Sequence, residues 1–168
     1  MPAASSPVAE PWALRSRPVC RLATAPEERE RHFAIRRAVF CVEQGMFGGA
    51  DRVQRVRRVV AGIAVVGAEG AVVGGTVRLY PLGADGLWQG DRLAVLPLFR
   101  RTSLGGALVR FAVRTAGARG GSRMVAMIQR PNVPFFLSLG WSLDGPVAEF
   151  HGREHQPMAI ALSAAPDG

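Results

Sequence analysis

The sequence predicts an α/β fold, a mixed central sheet carrying helices on both faces. Segments with strand and helix periodicity follow in the order strand, helix, three strands, helix, strand, helix, strands. Two of the β-rich runs lie close enough to form a hairpin, whereas the fifth strand is reached only through a helix. Antiparallel and parallel pairing must therefore coexist. The 168-residue chain is 48% hydrophobic and 20% charged, which suits one packed domain and not a disordered chain.

Residues 1–17 are rich in Ala, Pro and Ser without periodicity and read as a disordered tail, leaving 18–168 as a single domain. Residues 19–23 alternate apolar and polar side chains, as a first strand does. Thr24, Pro26 and the acids Glu27, Glu28 and Glu30 form a helix start, with a cap oxygen and negative charge at the positive end of the dipole. Phe33, Ile35, Val39 and Phe40 give that helix its apolar side, and Gly45 is its stop. The runs 59–66 and 71–80 form a hairpin through Gly67-Ala68-Glu69-Gly70. Gly74 and Gly75 inside the second run mark a bulge or a close backbone contact. Asp85-Gly86 turns the chain, and Leu87-Trp88 leads into a fourth strand.

The most informative stretch is 91–108. It begins as an apolar strand at Leu93 and Val95, breaks at Pro97, passes Arg100 and Arg101, and enters a helix at Ser103-Leu104-Gly105-Gly106. A helix start has unpaired N–H groups and partial positive charge, and small residues let an anion reach the backbone. A tight strand-to-helix connection with no ligand would use the same residues. Leu104, Leu108, Phe111 and Thr115 carry the helix to about Ala118, before Gly120-Gly121. A buried strand at 124–129, a short helix at 135–139 closed by Gly140, and strands at 141–150 and 158–162 complete the chain.

The run Arg100-Arg101-Thr102-Ser103-Leu104-Gly105 resembles motif A of the GNAT superfamily of N-acetyltransferases, with Ser103 where the first glycine is usual. Asn132-Val133-Pro134-Phe135-Phe136-Leu137-Ser138-Leu139-Gly140-Trp141 resembles its motif B. Further strings narrow the resemblance to the bacterial nitrogen-starvation N-acetyltransferases. These are Phe40-x-x-Glu43-Gln44-Gly45-x-Phe47, Val77-Arg78-Leu79-Tyr80-Pro81, Trp88-x-Gly90-Asp91-Arg92-Leu93-Ala94-Val95 and His151-Gly152-x-x-His155-Gln156-x-Met158. The resemblance spans about residues 19–162. It departs after Phe47, where Asp51 stands alone and family members carry more acids.

The resemblance implies a mostly antiparallel sheet of about seven strands with a splayed fourth strand. It also implies acetyl transfer from acetyl-coenzyme A to the amine of a small molecule, by direct attack in a ternary complex. Arg100, Arg101, Thr102, Ser103, Leu104, Gly105 and Gly106 would hold the pyrophosphate, and Asn132 and Phe136 would meet the cofactor arm. A backbone N–H in the Leu93–Val95 segment would face the thioester oxygen, which requires a bulge there. Phe136 stands where many members carry the tyrosine that protonates the leaving thiolate, so water or another group would serve as acid.

An attacking ammonium must lose a proton, and the candidate bases are Glu43, His155 and Asp91, with His151 beside them. Each also has an ordinary structural explanation: Glu43 and Asp91 as ion-pair partners of nearby arginines, each histidine as a hydrogen-bonded loop or strand residue. No spacing of His, Cys or acids argues for a metal.

The net charge is +8, all of its basic side chains arginine and most of them scattered. The Arg52, Arg55, Arg57 and Arg58 run reads as a solvated edge, or as a site for the adenosine 3′-phosphate or an acidic substrate. Without a clustered face or a binding motif, the charge argues against nucleic acid as a partner. No apolar run reaches membrane-span length, no secretory leader is visible, and Cys20 and Cys41 make no disulfide framework, so the expectation is cytoplasmic. Superfamily members are often dimers, so a homodimer is compatible with the resemblance. Two other readings fit the same strings: an acyl-homoserine-lactone-synthase-like acyltransferase, and a non-catalytic acyl-coenzyme A sensor.

Overall fold

The computed structural model describes residues 17–45, 62–150 and 152–164. The tail, the 46–61 segment with Phe47, Asp51 and the arginine run, and His151 lie outside the described residues.

Strand β1 (Val19–Leu22) leads into helix α1 (Pro26–Arg36), which widens into a π-helical turn over Arg37–Glu43. The predicted Thr24 cap is not made. Ala25 is the capping position, and the Glu28 carboxylate accepts from the Thr24 and Ala25 N–H groups at 3.2 and 3.4 Å. A carboxylate reaching back from the first turn supplies the same acceptor, with favourable charge for the dipole. Gly45 takes a φ of 66°, the left-handed conformation a helix stop requires.

Strands β2 (Ile63–Glu69) and β3 (Val72–Pro81) form the hairpin, but its turn is at Gly70, not across 67–70. Gly67 stays in β2 because its missing side chain makes room for a neighbour. A Cβ there would lie 2.8 Å from Leu104 Cδ1. The bulge expected near Gly74 and Gly75 is present: Gly67 pairs with Gly75 and Ala68 with Val73, leaving Gly74 extra.

Strand β4 (Leu87–Val95) ends in a 3-10 turn at Pro97–Phe99. Helix α2 (Leu104–Ala118), strand β5 (Arg123–Gln129), a second 3-10 turn and helix α3 (Val133–Ser138) follow. The strand expected over 141–150 is two pieces, β6 (Ser142–Leu143) and β7 (Ala148–Phe150), and the last strand, β8 (Arg153–Ala161), is longer than 158–162. Gly145, with φ 133°, sits in the interruption, and both pieces pair with β8.

The sheet order is β1-β2-β3-β4-β5-β8-β6, with β7 on β8; only β4 and β5 pair in parallel. The two long helices lie on opposite faces because side chains alternate along β3. Gly75 faces Leu108 of α2, while the next residue, Thr76, meets His32 of α1. On the α2 face, Leu79, Leu104, Leu108, Met124 and Met158 are fully buried, each worth about 1.5–3 kcal/mol by transfer from water.

The α1 face buries a polar chain. Arg36 Nη1 donates to His32 Nε2 at 3.0 Å, His32 Nδ1 meets Thr76 Oγ1, and that hydroxyl donates to the Val65 carbonyl at 2.7 Å. Each link has a partner, as burial demands. Cys20 and Cys41 are both free thiols, and no helix of the described residues is long and apolar enough to cross a membrane.

Candidate active site

The site is built where β4 leaves β5. The parallel pairing covers only Leu87–Gln89 against Arg123–Val125. Beyond it, the register with β3 jumps from Asp91–Arg78 to Ala94–Thr76, so Arg92 and Leu93 oppose the single residue Val77. Arg92 takes φ 54°, the one positive φ outside glycine among the described residues. This is the predicted bulge, and the fourth strand splays as the resemblance implied.

The bulge turns peptide groups toward the gap. Leu96 N–H donates to the Gly74 carbonyl at 2.8 Å, so Gly75 and Val95 form a narrow pair. In such a pair the residue's own N–H and C=O point away from the partner strand. The Val95 carbonyl accepts from Arg100 Nε at 3.0 Å, and its N–H faces the same side, into the cleft.

Two cavities of about 330 and 420 Å³ flank this edge. They share Gln44, Leu93, Gln129, Asn132 and Phe136, so they adjoin across the gap. The larger is lined by Val95, Arg100, Thr102 and Gly105 on one side and by Asn132, Phe135 and Phe136 on the other. At its end is the start of α2. Thr102 Oγ1 donates to the Phe99 carbonyl at 2.7 Å and accepts the Leu104 N–H at 3.3 Å. Ser103 makes no side-chain cap, and the Gly105 and Gly106 N–H groups have no partner among the described residues. Open N–H groups at the positive end of a fifteen-residue helix are the donors that an anion needs.

The predicted cofactor residues therefore divide. Leu93, Val95, Arg100, Thr102, Gly105, Asn132 and Phe136 line one space. Arg101, Ser103 and Gly106 lie on the same turn without lining it. Leu104 is fully buried, so only its backbone belongs to the turn.

The candidate bases also separate. Both Glu43 oxygens are held by Arg100, at 2.7 and 2.6 Å, and that guanidinium keeps the carboxyl below the usual carboxylate range. Asp91 accepts from Arg78 Nε and Nη2 at 2.7 and 2.5 Å. His155 is buried and lines the smaller cavity; its Nδ1 donates to the Arg153 carbonyl at 2.9 Å. In the neutral ring this leaves Nε2 as the acceptor.

Several site residues were not singled out from the sequence. Tyr80 enters the smaller cavity with its hydroxyl 3.5 Å from Asp91 Oδ2, and burial, with Asp91 behind it, pushes its pKa up. Gln44 and Gln129 join across the cleft at 2.9 Å. Gln44 stands in the Phe40-x-x-Glu43-Gln44-Gly45 string, a signal that was available. Phe136 packs edge-on against Phe135 and Trp141, with ring centroids 5.4 Å apart in each pair.

The sequence between residues 62 and 162 matches the profile of the acetyltransferase (GNAT) domain. No curated protein matches the chain. Solved structures are similar in fold. A candidate N-acetyltransferase of Lactobacillus plantarum superposes with a TM-score of 0.75 at 20% identity, over 88% of this chain and 99% of that one. An aminoglycoside 6′-N-acetyltransferase complexed with coenzyme A gives 0.70 at 16% identity, over 89% and 99%. A coenzyme A-dependent acyl-homoserine lactone synthase with bound SAM and isopentyl-CoA gives 0.66 at 18%, over 85% and 82%.

Proposed function

The chain belongs to the GNAT acetyltransferase family and is an acyltransferase, and from that premise we propose that it moves an acyl group, acetyl in the simplest case, from a coenzyme A thioester to the amine of a small molecule. The observation that carries this is the meeting of two donor sets in one cleft. The open N–H of Gly105 suits the pyrophosphate, and the inward N–H of Val95, with Leu93 beside it, suits the polar backbone of the arm and the thioester oxygen.

The neutral amine attacks the thioester carbonyl carbon and the C–N bond forms. The carbonyl oxygen carries the negative charge of the tetrahedral intermediate against a β4 N–H. The C–S bond then breaks and the sulfur leaves with its electron pair. His155 is favoured to take the amine's proton: its Nε2 is an acceptor in the smaller cavity, while both Glu43 oxygens and both Asp91 oxygens already hold arginines. Tyr80, kept protonated by its raised pKa, is a donor in the same cavity and a candidate to protonate the thiolate in place of Phe136. The nitrogen-starvation resemblance names a narrower relationship and rests on the strings quoted above.

The test is thiol release from acetyl-coenzyme A with a panel of amines. Amine-dependent release of free coenzyme A supports the reading. A folded protein that binds coenzyme A yet releases no thiol with any amine favours the non-catalytic sensor.

A further inference from the structure

We propose that the smaller cavity is an acyl-chain pocket, and that the donor is a coenzyme A thioester carrying a hydrocarbon chain longer than acetyl. This rests on the reading of the cleft as a coenzyme A site. The cavity does not stop at the β4 edge. It is lined by Tyr80, Asp91 and His155 at one end, and it continues through the gap between β4 and β5 to Val109 and Ala112 of α2. A chain attached at the thioester would lie along that path.

The inner end is apolar. Ala112, Met124, Ala126, Ile128 and Trp141 line it, and each is more than nine-tenths buried. Its one side-chain N or O is Trp141 Nε1, which has no hydrogen-bond partner. A charged or strongly polar acceptor would be left unsolvated there, whereas a hydrocarbon would not. The polar end keeps Tyr80, Asp91 and His155 for the amine.

Gly90 leaves the β4 wall of the cavity without a side chain. At Gly67 and Gly75 the missing side chains are replaced by Leu104 and Leu108, whose atoms come within 2.8 and 2.7 Å of where a Cβ would stand. At Gly90, on β4, the nearest atom is Met124 Sδ at 3.3 Å, and the neighbouring wall is Ala112 and Ala126. Dry apolar cavities accept apolar ligands. A methyl group takes about one water's share, about 30 Å³, of a cavity that also receives the amine.

Calorimetry with coenzyme A and with acetyl-, butyryl-, hexanoyl- and octanoyl-coenzyme A tests this on the full chain. Each buried methylene should tighten binding about fourfold. Hexanoyl-coenzyme A, with four more carbons, should therefore bind about 250-fold tighter than acetyl-coenzyme A, with no further gain once the pocket is full. Gly90→Val should bring hexanoyl-coenzyme A down toward the affinity of acetyl-coenzyme A. Ala126→Leu, placed on the opposite strand, should do the same. Equal affinity along the series, or weaker binding of the longer chains, would overturn the proposal while leaving the coenzyme A site intact. A folded protein that binds no coenzyme A species would overturn that underlying reading as well.

Discussion

Glu43 and Arg100 form a two-pronged ion pair across the mouth of the larger cavity, with nitrogen–oxygen distances of 2.7 and 2.6 Å. The pair ties the π-helical end of α1 to the turn that precedes α2, and Arg100 Nε reaches the Val95 carbonyl at the same time. Arg100 thus connects the cleft edge, the turn before α2 and a residue fifty-seven positions earlier in the chain.

Both partners are about 40% exposed, so solvent screens the pair and Glu43→Gln should cost less than about 1 kcal/mol of stability. The folded carboxyl has a lower pKa than the unfolded one, so the contribution is present above the ordinary carboxylate range and disappears as pH falls through the depressed folded value. Thermal melts of wild type and Glu43→Gln should therefore differ near neutral pH and converge in acid. As a positioning residue, Glu43 should affect KM more than kcat on substitution. A loss of kcat of about a hundredfold or more would instead make it the base.

His155→Ala should lower kcat by at least about a hundredfold while coenzyme A still binds. Steady-state kinetics beside calorimetry separates the two. An unchanged kcat would move the proton to Asp91 or Glu43.

Gly74→Ala should destabilise the fold by about 1–3 kcal/mol, because its Cβ would lie 2.5 Å from the Phe99 ring. Urea unfolding measures the loss. Phe99→Leu in the same chain should recover part of it.

Thr76→Val removes the hydroxyl that joins His32 to the Val65 carbonyl. Leaving buried His32 without that partner should cost about 1–3 kcal/mol, and Thr76→Ser, which keeps the hydroxyl, should cost less.

Much of this architecture is legible in the sequence, because it rests on local signals. Pro26 and its glutamates start α1, Gly45 stops it, the glycine pair in β3 marks a bulge, and Leu93 to Gly106 spells a strand, a break and a helix start. What the sequence hides is set by distant contacts. Gly67 looks like a turn residue, and only the Leu104 side chain against it explains why the strand continues. The break between β6 and β7 has no strong local signal beyond Gly145, and the pairing of both with β8 is long-range. In the sequence, residue type alone marks the candidate bases. Their arginine partners, which decide which lone pairs stay open, come from other elements: Arg100 for Glu43 and Arg78 for Asp91. Tyr80 lies on β3, far in sequence from Phe136, and no local signal shows that the two line the same cavity.

The central claim is that the turn before α2 and the β4 edge hold coenzyme A. A Cβ at Gly105 meets only Phe135 Cζ at 3.6 Å and Val95 Cγ2 at 3.7 Å, so the fold tolerates a side chain there while the cleft narrows. Acetyl-coenzyme A binding to wild type and to Gly105→Val by calorimetry is the direct test. Binding to wild type that is lost in a variant with a near-unchanged melting temperature is the predicted result. Equal binding by both proteins, or none by a folded wild type, would contradict it.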